Sequence, residues 1–209
     1  MFDSIYMAMQ SGSVVGLFLR VLPITLLVGM GYAVYRYIKI KRQGICVVWS
    51  SEIMRWLFVC YLTGLVNLVL VPSNLWGSIW YSMRVGVVEI NWGQPFSGGF
   101  NLVPTFVKCL TGEFTMGSWV REMLTGNLLM FLPMGFFLPF ISQRVNNHTI
   151  LKIAVIIPVV VEIVQIVVGR SFDVDDLLLN FAGIILGYFV AVGVKALAAR
   201  FQKGEEETA

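Results

Sequence analysis

Glu162 to Asn180 reads E-I-V-Q-I-V-V-G-R-S-F-D-V-D-D-L-L-L-N. An acid and an amide stand near the end of one apolar run. A short link then carries one arginine and three aspartates, and a second apolar run opens with an asparagine one turn in. The runs on either side, Ile150 to Val168 and Leu177 to Leu197, are each close to the ~20 apolar residues a helix needs to cross a bilayer. Charges at the edge of such segments are costly, so they need a reason.

Outward from this stretch the chain keeps the same character. It has 209 residues, 57% hydrophobic and 13% charged, with a mean hydropathy of +0.80. A soluble domain is about a quarter charged. The reading is an all-α polytopic membrane protein whose environment is the lipid bilayer of a cell membrane. Three further runs have spanning length: about Val14 to Ile38, Met54 to Pro72 and Met123 to Ile141. The first contains Arg20 and Pro23, so its start also reads as a surface-lying amphipathic turn. Pro133 and Gly135 interrupt the third, and Pro158 lies inside the fourth. Five spans result. The N-terminus, M-F-D-S-I-Y-M-A-M-Q, lacks the basic start of a signal peptide, so the first run reads as a retained anchor.

Several function classes fall away. Cys46, Cys60 and Cys109 lack metal spacing or a C-x-x-C pair, and Cys60, inside an apolar run, reads as a small hydrophobe. One histidine, His148, excludes a histidine-rich metal site. No dinucleotide or phosphate-loop glycine pattern occurs, and the basic residues form no patch for nucleic acid.

Their placement gives orientation instead. Arg36, Lys39, Lys41, Arg42, Arg55, Arg144, Lys152, Lys195, Arg200 and Lys203 fall on one side, ten of the 15 basic residues. Arg84, Lys108, Arg121 and Arg170 fall on the other. The positive-inside rule puts the ten in the cytoplasm, the N-terminus outside and the C-terminus inside. The opening stretch then faces outward. So does the connection from Ser73 to Arg121, with Trp76, Trp80, Trp92 and, at its end, Trp119. Tryptophan favours the headgroup level, and G-Q-P-F-S-G-G-F-N-L-V-P implies bends. This loop is expected to lie on the outer leaflet or re-enter it. The chain divides into a two-span region with its outer aromatic loop (1–100), a membrane domain (101–190) and a cytoplasmic tail (191–209). The tail from Gly204, with three glutamates, reads as a disordered end.

Glu162 and Gln165, three apart, share a helix face. Glu162 lies roughly 9 Å from the outer end at 1.5 Å per residue, where an ionised carboxylate costs about 3 kcal/mol on insertion scales. Arg170 is its nearest candidate cation. Asp176, Asn180, Gly183 and Gly187 follow at steps of four, three and four, a stripe that Asp173 extends. Small residues at this spacing let a helix approach closely, and the stripe is expected against the fourth span, near Glu162 and Gln165. The structural alternative is that Asp175 or Asp176 is merely an N-cap, that Asn180 bonds across helices, and that Glu162 with Arg170 is only a bridge. In the third span Asn127 precedes Pro133, which frees the carbonyl of Leu129. Asn101 with Pro104 is also a turn signal.

Four motifs occur in order: N-L-V-P at 101–104, G-N-L-L-M-F-L-P-M-G-F at 126–136, V-E-I-V-Q at 161–165 and G-R-S-F-D-V-D-D-L-L-L-N-F-A-G at 169–183. Together they make Asn101 to Tyr188 resemble the VanZ-like family, whose namesake is associated with resistance to teicoplanin, a glycopeptide that targets the lipid-anchored cell-wall precursor. The family's recurrent polar positions fall on Asn101, Asn127, Glu162, Gln165, Arg170, Asp173, Asp176 and Asn180. Thr105 departs from the phenylalanine usual after the proline.

The leading expectation is a protein that binds or modifies a lipid-linked envelope intermediate at the outer leaflet. Glu162 and Asp176 are the candidate acid–base pair. Arg170 is a candidate grip for phosphate or carboxylate, with Asp173, Asn180, Gln165, Asn127 and Asn101 as polar contacts. Asp173, Asp175 and Asp176 offer oxygen ligands for a divalent cation. No nucleophile is obvious: Ser171 and Thr125 are available, and neither is in a catalytic motif. Two alternatives stand beside this: a non-catalytic shield or interaction protein of the cell-wall machinery, and a small proton-coupled transporter. Five spans hold no inverted halves, so a transporter would need a dimer.

Overall fold

The computed structural model describes residues 14–44, 46–71, 94–112 and 117–208, with positions 75, 79, 82, 83, 85 and 86 between them. Trp76, Trp80, Trp92, Arg84 and the first ten residues lie outside the described residues, as do the side chains of Arg20, Trp119 and Arg121. The helices are α1 (Val14–Gln43), α2 (Trp49–Leu70), α3 (Thr105–Leu110), α4 (Ser118–Ile141), α5 (Asn147–Val167) and α6 (Val174–Thr208). A two-residue strand, β1 (Phe100–Asn101), pairs in parallel with β2 (Phe172–Asp173). Among the described residues five helices are long and apolar enough to cross a membrane, so the chain is an all-α, multi-pass membrane protein.

Two readings of the sequence change. Pro23 lies inside α1, which runs unbroken from Val14. The tail is helical to Thr208 rather than disordered. Alanine, lysine, arginine, glutamine and glutamate are all good helix formers, and they let α6 continue past its apolar portion.

The chain falls into two compact units. Met1–Gly99 with Val164–Ser171 forms the first. Here α1 and α2 make an antiparallel pair. Trp56 Nε1 donates to Gly29 O at 2.9 Å, and Gly64 lies against Val21. A Cβ on Gly29 would come within 2.8 Å of Cys60 Sγ, so Cys60 acts as a small packing group. At the basic end, Arg36 grips Glu52 with two hydrogen bonds, at 2.7 and 2.5 Å, and Arg55 adds a third at 2.7 Å. Val164–Ser171 holds the end of α5. Gly169 has φ +81. Its N–H reaches Ile166 O at 3.0 Å, and the Arg170 N–H reaches Gln165 O at 2.8 Å. This is a Schellman stop, in which a left-handed glycine satisfies the last carbonyls. Residues 94–98 lie on this stop. Phe96 N–H donates to Ile166 O at 3.2 Å, and a Cβ on Gly98 would sit 2.0 Å from Arg170 O.

Phe100–Ile163 with Phe172–Ala209 forms the second unit. Its centre is a close pairing of α4 and α6. A Cβ on Gly183 would lie 2.4 Å from Leu128 O, one on Gly187 1.9 Å from Leu132 O, and one on Gly135 1.8 Å from Ile184 O. Backbones this near exclude any side chain at all three positions. The stripe at Gly183 and Gly187 therefore packs on the third span, not on the fourth as expected. The third span carries a reciprocal glycine, Gly135, and the fourth has none between Asn147 and Val167. Phe131, Ile184, Ala154 and Ala191 fill the core, while Leu151, Val155, Ile156, Leu186, Phe189 and Val190 are exposed. That distribution suits a lipid solvent. At the basic end Tyr188 Oη donates to Asn147 Oδ1 at 2.6 Å. Lys195 donates to Pro139 O and lies over the Phe140 ring, a cation at the carbonyl end of α4.

Candidate functional site

The polar residues of the second unit gather at the end of α6 where its chain begins. The β1–β2 pairing sets Asn101 opposite Asp173. Asn101 Nδ2 donates to Asp173 Oδ2 at 3.0 Å, while the other Asp173 oxygen takes the N–H of Asp175 at 2.9 Å. That second bond makes Asp173 the N-cap of α6, the role the sequence offered to Asp175 or Asp176. Asp175 caps a different helix. Its carboxylate accepts the Thr105 N–H at 3.1 and 2.9 Å and the Thr105 hydroxyl at 2.5 Å. It thereby satisfies the start of α3, whose own cap position is Pro104 and contributes no side-chain bond. Asp176 accepts from Asn127 Nδ2 on α4. Glu162, wholly buried on α5, accepts the Asp173 N–H at 3.1 Å through Oε2.

Four carboxylates thus meet in one network, each receiving at least one N–H or O–H from the chain. Asn180, one turn along from Asp176, is 3% exposed, and its Oδ1 has no hydrogen-bond partner among the described residues. An amide oxygen buried this way costs free energy until a donor reaches it. The three aspartates do not suit a divalent cation. Asp175 is turned to Thr105 and Asp176 to Asn127, and no three acidic, histidine or cysteine side chains among the described residues are grouped to hold a metal.

Gln165 and Arg170 belong to the first unit. There they share one acceptor: Gln165 Nε2 reaches Val69 O at 3.3 Å and Arg170 Nη1 reaches it at 2.6 Å. Val69 is in the last turn of α2, where carbonyls lack helical partners and a cation is favoured. Both side chains close a helix end. Ser171 and Thr125 are exposed.

Two members of the network were not singled out from sequence. Thr105 looked like a small departure from the usual phenylalanine, yet its hydroxyl makes a bond to Asp175 that phenylalanine lacks. Lys108, counted only as a basic residue of the outer side, donates from Nζ to Asn101 Oδ1 at 2.6 Å. The available signal was its spacing, three residues after Thr105 and seven after Asn101, on a segment that also ends in a helix.

A family model described as VanZ/LLP1 matches residues 58–196. It takes in most of α2 as well as the four motifs. No curated protein and no solved structure matches the chain.

Proposed function

The chain belongs to the VanZ/LLP1 family, and on that premise we propose that it acts in the bacterial cell membrane, in glycopeptide resistance, by binding or modifying a lipid-linked envelope intermediate at the outer leaflet. The observation that carries this reading is Glu162: a carboxylate with no solvent exposure on a mostly apolar helix, joined to the mouth of α6 by the Asp173 N–H. Retaining such a group in a span is costly unless it is used. Glu162 and Asp176 are the acid–base pair of this reading. Asn101, Asn127 and Asn180 are its neutral polar contacts, and Asp173 and Asp175 hold the frame. The basic-residue count supports an outward-facing network.

A second reading has its own observation. Every carboxylate of the network already receives a bond from the chain, as expected if the cluster only fastens helices in a non-catalytic shield or interaction protein. Glu162→Gln and Asp176→Asn separate the two. The test is teicoplanin susceptibility of cells expressing each variant, alongside the Tm of the purified protein. Stable variants that lose resistance support the first reading. Variants that lose resistance and Tm together support the second. Stable variants with full resistance overturn the first.

A further inference from the structure

We propose that Lys108 is the anion grip of this site and takes a phosphate ester of a lipid-anchored ligand, a role the sequence offered to Arg170. The inference rests on the reading above that the network faces a lipid-linked ligand. Arg170 already donates to Val69 O at 2.6 Å at the end of α2. Lys108 is half-buried and meets a neutral acceptor, Asn101 Oδ1, at 2.6 Å. An ammonium has three donors, and this bond uses one. Lys108 forms no ion pair with a carboxylate among the described residues, although four carboxylates belong to its network.

Asn101 explains how that charge is kept. Lysine can only donate, so it fixes the amide with its oxygen toward Nζ and its nitrogen toward Asp173, where the bond is 3.0 Å. The amide is a spacer. Asp173 spends its two oxygens on Asn101 and on the Asp175 N–H, and the amine is held off rather than neutralised. A half-buried amine with no carboxylate paired to it among the described residues favours an anion, and lysine serves phosphate as a point charge.

The surroundings select the ligand's other half. Phe100, Leu102, Val103 and Leu110 lie on the same short segment and are 48% to 82% exposed. β1 and α3 are too short to cross a bilayer, and on the reading that they lie at the outer leaflet this apolar rim is what an acyl chain would meet. One amine within an apolar rim matches an amphiphile with an anionic head.

The test uses the full chain in phosphatidylcholine nanodiscs and a fluorescent polyprenyl phosphate as probe. Phosphatidylglycerol and inorganic phosphate serve as competitors. Lys108→Gln and Lys108→Met, the latter keeping an apolar stem, should each weaken binding at least about tenfold. Lys108→Arg should stay within about threefold, Arg170→Lys should bind as wild type, and Tm should hold in all four. Polyprenyl phosphate binding that survives in either neutral variant overturns the proposal. So does a fall in Tm in both neutral variants, which would make Lys108 a fastening residue. Equal competition by phosphatidylglycerol identifies a general phosphate-ester headgroup site and supports the grip. Equal competition by inorganic phosphate overturns the lipid assignment. If wild type fails to bind the probe, the grip is wrong, while loss of resistance in a stable Glu162→Gln protein would still uphold the broader function.

Discussion

Glu52 and Glu162 are both acids on apolar helices, and they are held in opposite ways. Glu52 stands between two guanidiniums, with three hydrogen bonds of 2.5 to 2.7 Å and a side chain 16% exposed. Glu162 has no exposure and takes a neutral backbone N–H. The first arrangement joins the basic ends of α1 and α2 and needs the charge on both sides. The second joins an acid to the start of another element through a donor that an amide side chain could serve equally well. A charge met by full countercharges is fastening. On the proposed function Glu162 is the acid with work beyond the fold, and substituting the two acids in parallel tests that difference.

The largest expected effect lies in the α4–α6 seam. Gly187→Leu would drive a side chain into Leu132 O, which already stands 1.9 Å from where a Cβ would be. With backbone as the obstacle, the cost should reach about 3 kcal/mol, or a Tm lower by about 10 °C. Thermal unfolding of the purified protein in detergent checks this. A variant as stable as wild type would mean that the seam is not closely packed, and the position of Asp176 against Asn127 would then lose its support.

Next comes the pair of acids itself. Glu52→Gln should destabilise by about 2 kcal/mol, the scale of hydrogen bonds to charged groups, because it leaves Arg36 and Arg55 facing a neutral amide. Glu162→Gln should change stability by under about 1 kcal/mol, since the amide oxygen can still accept the Asp173 N–H, while resistance is lost. The reverse pattern, with Glu162→Gln unfolding and Glu52→Gln neutral, would break the comparison.

How much of this was legible in the sequence follows from the same contrast. The five spans, Glu162 as a buried acid, and the glycine stripe at Gly183 and Gly187 could all be read, because each depends on period and hydropathy along one helix. The partner of the stripe could not. A short link between α5 and α6 made the fourth span look like the natural neighbour, but the choice was made by Gly135 on the third, a reciprocal contact that appears only when two helices are laid together. The roles of the aspartates were permuted for a related reason. Asp173, Asp175 and Asp176 are equivalent as a string, and the parallel pairing of Phe100–Asn101 with Phe172–Asp173 assigns one to its own helix, one to α3 and one to α4. Gln165 and Arg170 matched the family's polar positions, but nothing in their spacing pointed to the carbonyl of Val69.

Asp175 and Thr105 give the next, smaller effect. Asp175→Asn keeps an acceptor for the Thr105 N–H but removes the charge at the start of α3, and Thr105→Val removes the hydroxyl. Each should cost about 1 kcal/mol. The double variant should cost less than the sum, because both act on one contact. Strict additivity in thermal unfolding would show that the hydroxyl contact contributes nothing, and that Thr105 is a neutral replacement for phenylalanine.

The smallest effect is expected at Arg170, and it is the most discriminating. If Arg170 closes the end of α2, Arg170→Lys should cost less than the ~0.3–1 kcal/mol that a cation at a helix C-terminus is worth and leave Tm unchanged, because lysine keeps the charge and can still reach a carbonyl. Resistance should be unchanged. If Arg170 instead held a ligand with its planar fork, lysine would be a poor substitute, and resistance would fall with no change in Tm. Thermal unfolding and teicoplanin susceptibility measured on this one variant therefore decide whether the arginine of the G-R-S-F-D motif acts on the fold or on the ligand.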